Sequence, residues 1–79
     1  MLSDLKAMEH YQAALRIAPN YADAHYNLAL LYQGSNQTMR AVQHWTNYLK
    51  LDPGSHWANI ARRELAKLRE ATVVPGTRG

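Results

Sequence analysis

Seventy-nine residues with nine Lys and Arg, six Asp and Glu and four His make a mildly basic chain of formal charge +3. A chain of that length holds one small domain with a thin core, because it buries only about 60% of its unfolded surface. The lack of cysteine excludes a disulfide framework, and so small a positive charge aids solubility without amounting to a nucleic-acid footprint.

Ala, Leu, Gln and the basic residues are plentiful and Phe is absent, which favours helix over sheet. The first expected helix runs from about Asp4 to Ala18, with Ser3 as N-cap and Leu5, Met8, Tyr11, Leu15 and Ala18 at helical spacing. Pro19 stops it. The second spans about Ala22 to Gln33, with Leu28, Leu31 and Tyr32 inward and Gly34 as its C-terminal cap. The third spans about Gln37 to Leu51, with Val42, Trp45 and Leu49 inward, and Pro53-Gly54 ends it.

Ser55 caps the fourth helix, whose expected inner stripe is Trp57, Ile60, Ala61, Leu65 and Leu68. Its outer face holds Arg62, Arg63, Lys67, Arg69 and Glu70. Short linkers force neighbouring helices to pack antiparallel. The reading is all-α: one domain of about four helices over residues 1–70, then a flexible tail over 71–79. No stretch approaches the roughly 20 apolar residues needed to cross a bilayer. Met1 to Lys6 lacks the basic and apolar regions of a signal peptide, so the cytoplasm is the default compartment.

The chain repeats itself. Leu15-Arg16-Ile17-Ala18-Pro19-Asn20 and Leu49-Lys50-Leu51-Asp52-Pro53-Gly54 are one phrase 34 residues apart, and Ala7/Ala41 and Tyr11/Trp45 share that offset. A helical period of 34 with this Ala, aromatic and Pro spacing resembles the tetratricopeptide-repeat (TPR) family. Residues 22–55 fit one whole repeat, with Leu28-Ala29, Tyr32, Ala41, Trp45 and Pro53 in place. His25 stands where the family most often has Trp, and Tyr48 where it usually has Ala. Residues 1–20 match only a second helix, and Arg62 and Arg63 break the pattern of a next first helix. The frame is therefore half a repeat, one full repeat over 21–54 and a capping helix over 55–70, in a right-handed α-solenoid stack. The stretch from His44 to Leu65 is also similar to the C-terminal ends of longer bacterial TPR proteins, some fused to DNA-binding domains.

The resemblance implies a protein-interaction module with no enzyme chemistry. Its groove residues, carried over to the full repeat, are Asp23, Tyr26, Asn27, Leu30 and Gln33, which share one helix face. Asn27 resembles the asparagine that holds a peptide backbone or carboxylate in chaperone-binding members. The Lys and Arg of that clamp are missing, and the matching sites in the fourth segment are Trp57 and Ala61. Leu5, Met8 and Leu15 should form an uncovered edge where a first helix is missing, which points to self-association, with a homodimer as the commonest closed solution, or to the C-terminal end of something longer.

Other chemistry finds little support. His10, His25, His44 and His56 show neither an i, i+4 pair nor H-E-x-x-H, so no metal and no cofactor is expected. His25 reads as a satisfied histidine between helices. No nucleophile–base pair, glycine-rich elbow or phosphate loop implies an active site or a small-molecule substrate. The basic face of the fourth helix is interleaved with Glu64 and Glu70 and has no stacking aromatic, so it reads as solvated. Two alternatives to peptide docking stay open: a purely structural oligomerisation or capping segment, and a regulatory piece of a DNA-associated protein. The partner expected is a protein or peptide rather than nucleic acid, with no membrane.

Overall fold

The computed structural model describes residues 2–72. Four helices follow one another: α1 (Leu2–Ile17), α2 (Ala22–Gly34), α3 (Thr38–Leu51) and α4 (His56–Thr72). Each packs on the next, most extensively α2 on α3, so the chain is a short helical stack. No strand occurs among the described residues. Ala71 and Thr72 belong to α4, and the rest of the expected tail lies outside the described residues.

Small residues set the helix spacing. Ala24, Ala29, Ala41, Ala58 and Ala61 have no exposed surface, so α2, α3 and α4 approach closely. Trp45 and Leu28 fill the space between them and are fully buried. A Trp this buried removes on the order of 200 Å² from water, roughly 5 kcal/mol of gross burial energy.

The ends of the helices differ from expectation in instructive ways. Ser3 is a helical residue, because α1 already begins at Leu2, and it does not serve as N-cap. Pro19 stops α1 as expected, with Tyr21 N–H donating to the Ala18 carbonyl at 3.0 Å to turn the chain. Gly34 is the last residue of α2 rather than its cap. The left-handed position falls two residues later, on Asn36 at φ 64°.

Asn36 N–H donates to the Gln33 carbonyl at 3.2 Å and Gln37 N–H to the Tyr32 carbonyl at 2.8 Å. That pair of bonds is a Schellman closure, and asparagine is the residue after glycine that tolerates its backbone. Ser55 does cap α4: its Oγ accepts the Ala58 N–H at 3.1 Å.

The inner stripe of α4 is also shifted. Ala58, Ala61, Leu65 and Leu68 are buried, at i, i+3, i+7 and i+10, whereas Trp57 is 55% exposed. Rotating the helix this way brings two alanines against α3 and turns the indole outward.

Candidate functional site

A groove of about 490 Å³ opens where α2, α3 and the start of α4 meet. It is lined by Asp23, Tyr26 and Asn27 from α2, Tyr48 from α3, Asp52 and Ser55 from the connection, and Trp57 from α4. Tyr26 forms its inner wall, held edge-on against Trp45 (5.0 Å between centroids, 87°) and Tyr48 (5.2 Å, 72°). Such T-shaped contacts put ring edges on ring faces and fix Tyr26 in place.

Below the groove, a hydroxyl network joins α3 to α4. The buried Tyr48 hydroxyl donates to Asp52 Oδ2 at 2.7 Å and lies 3.1 Å from Ser55 Oγ. Burial raises the Tyr48 phenol above its ordinary range; Ser55 opposes that, while the Asp52 and Asp23 carboxylates add to it. Asp52 moves the other way. The Tyr48 and Ser55 hydroxyls hold its carboxyl below the usual range against a smaller effect of desolvation.

The five groove residues expected from the sequence do not stay together. Asp23, Tyr26 and Asn27 line the groove. The Asn27 side-chain amide donates back to the Asp23 backbone carbonyl at 2.9 Å, so one of its two N–H donors is engaged by its own helix. Leu30, 45% exposed, lies instead in a second cleft of about 310 Å³ with Leu5, Met8 and Leu31.

Gln33 lines neither space and ties the helices together. It accepts the Trp45 Nε1–H at 3.0 Å and donates to Glu64 Oε1 at 2.9 Å, linking α2 to α3 and α4. Glu64 is held below the ordinary carboxylate range, first by Gln33 and then, against desolvation, by Lys67 at 3.2 Å.

The edge residues also separate. Leu5 is 57% exposed and Leu15 is half-buried, but Met8 is 8% exposed and belongs to the core. Met8 shares one core cluster with Leu28, Ala29 and Tyr32 of α2, the helix that packs on α1 and covers it. Met8 is thus not a surface residue, a correction to the edge drawn from the sequence.

His25 is buried between α2 and α3 with both ring nitrogens engaged. Its Nε2 lies 3.0 Å from the Pro19 carbonyl and its Nδ1 lies 2.9 Å from His44 Nδ1. A carbonyl only accepts, so His25 carries its proton on Nε2 and receives the Nδ1–H of His44. His44 stacks on Tyr32 at 5.5 Å, and Arg40 lies over the same ring. Burial first, then His25 and Arg40, lowers His44 to about 4.

Sequence reasoning missed Asp52 and Ser55 as groove residues. The usable signal was Tyr48, where the family has a small residue: a phenol there reaches the connection and organises its polar groups. No group of three or more His, Cys, Asp or Glu side chains that could hold a metal occurs among the described residues. On the basic face of α4, Arg62 donates to the Pro53 carbonyl and to Asn59 Oδ1, and Lys67 pairs with Glu64. No described helix is long and apolar enough to cross a membrane.

Residues 6–36 match the family model described as a TPR repeat. The match takes α1 with α2, whereas the 34-residue frame from the sequence takes α2 with α3; α2 is common to both. A comparison with curated proteins gives no match. TPR repeats as a family mediate protein–protein interaction and are typically non-catalytic. The matched repeat over residues 6–36 and the four consecutively packed helices are consistent with a fragment of a tetratricopeptide-repeat stack.

Proposed function

We propose that this chain is a non-enzymatic docking module that receives a peptide or helix of a partner protein in the groove between α2, α3 and α4. The observation that carries the reading is the groove itself, about 490 Å³ with a fixed aromatic wall and an exposed Trp57 on its rim. Concave sites of this size with a few convergent polar groups are the common form of a binding site. Selecting peptides from a random display pool on the folded chain, then rebinding them to Trp57→Ala and Asn27→Ala, tests it. Peptides that bind both variants as well as the parent would refute the groove as the docking surface.

Self-association is a second reading with its own support. Leu5 and Leu30 expose apolar surface beside one cleft between α1 and α2, and paired exposed leucines favour covering by another helix. Light scattering across a concentration series tests this. A dimer that Leu5→Asp or Leu30→Asp dissolves supports it, and a monomer throughout refutes it.

A further inference from the structure

We infer that the occupant of the groove is a basic segment of a partner protein, with a Lys or Arg side chain seated between Asp23 and Asp52 and against Trp57. This rests on reading the groove as the docking surface and specifies what it selects. Asp23 stands on the first turn of α2 and Asp52 just past the end of α3, so two carboxylates face one space from different elements. Among the described residues neither has a Lys or Arg partner and no Lys or Arg lines the groove. In a chain of net charge +3, this is a local reversal of sign.

Helix ends do not cancel it. The N-termini of α2 and α4 each bring roughly +0.5 of a charge and the C-terminus of α3 roughly −0.5, which against two carboxylates leaves about −1.5. The Asp52 carboxylate is kept ionised by the Tyr48 and Ser55 hydroxyls.

The uncharged groups agree with that sign. The Asn27 amide gives one of its two N–H donors to the Asp23 carbonyl, and its carbonyl oxygen is an acceptor that suits a cationic ligand. Trp57 exposes 55% of its surface at the rim. An indole face beside carboxylates suits a guanidinium or an ammonium, through ring quadrupole and charge together. A peptide carboxylate meets the opposite, like charge from Asp23 and Asp52.

The test is titration of the isotopically labelled chain with three blocked peptides of equal length, rich in Lys and Arg, in Glu and Asp, or in Gln. The Trp57 and Trp45 indole N–H signals are read separately. The Lys/Arg peptide should shift the Trp57 signal and leave the buried Trp45 signal in place, and added salt should weaken it. Asp23→Asn and Asp52→Asn should each weaken binding about two- to fivefold, and Glu70→Gln on the far face of α4 should leave it unchanged.

Asp23 is exposed and its carboxylate makes no hydrogen bond or ion pair among the described residues, so Asp23→Asn remains decisive even if Asp52→Asn unfolds the α3–α4 connection. Equal or tighter binding of the Gln or Glu/Asp peptide at Trp57 overturns the charge selection and leaves the groove standing. If no peptide moves Trp57, the groove reading falls along with it.

Discussion

Replacing Gln33 with Ala should destabilise the fold without touching ligand selectivity. The indole N–H of Trp45 lies fully inside the protein and has Gln33 Oε1 as its partner at 3.0 Å. Removing that acceptor strands a buried donor, which costs about 1–3 kcal/mol. The bond from Gln33 to Glu64 at 2.9 Å is lost as well, about 1 kcal/mol for a charge-assisted bond near the surface. Gln33 is itself only half-buried, so water recovers part of the loss, and about 2–3 kcal/mol is expected.

A domain of this length has roughly 4–12 kcal/mol in total, so the melting temperature should fall by roughly 10–20 °C. Urea unfolding followed by circular dichroism gives the number. Gln33→Glu is the companion variant: it keeps an acceptor for Trp45 and sets a carboxylate against Glu64. A double-mutant cycle with Trp45→Phe isolates the shared term. A loss below about 0.5 kcal/mol for Gln33→Ala, or strict additivity with Trp45→Phe, would refute the role of Gln33 as a tie.

Acid should loosen the contact between α2 and α3 through His44. In the unfolded chain His44 takes a proton at its ordinary 6.5, but in the fold only near 4. The unfolded state therefore binds more protons between those values, and stability is full above about 6.5 and falls as pH drops toward 4. Half-exposure of the ring reduces the effect to about 1–2 kcal/mol, and His44→Gln should flatten this part of the urea-midpoint profile. Leu5→Asp should shift the unfolding midpoint by less than about 0.5 kcal/mol, whereas Met8→Asp should cost about 3 kcal/mol or more by burying an unpaired charge. Asn36→Val should cost about 1–2 kcal/mol at its positive φ, and Asn36→Gly close to nothing, both read from thermal melts.

The fold was legible because repeat physics writes it into local sequence. The prolines at 19 and 53 break the helices where they must, and the alanines that permit close packing recur at the repeat period. The termini of α1 and α2 were less legible because capping depends on backbone angles. Gly34 and Asn36 both suit a left-handed cap, and closure of the α2–α3 connection selects the second.

Helical spacing put Asp23, Tyr26 and Asn27 on one face, and the three line one groove. It failed at Leu30, which lies in the cleft beside α1, and at Gln33, which stays on the α3–α4 side but is taken up by Trp45 and Glu64. A polar residue such as Gln33 looks like a surface group until the buried Trp45 donor it must satisfy is in view.

The bonds beneath the groove have a kinetic consequence. Tyr48, Asp52, Ser55 and the amide of Ala58 form one continuous chain from the groove wall into the first turn of α4. A ligand that anchors Asp52 also anchors the group that closes that turn. Occupancy should therefore slow exchange of the Ala58 amide with solvent, more than at helix positions away from the connection. The start of α4 thus serves as a built-in gauge of whether the groove is filled.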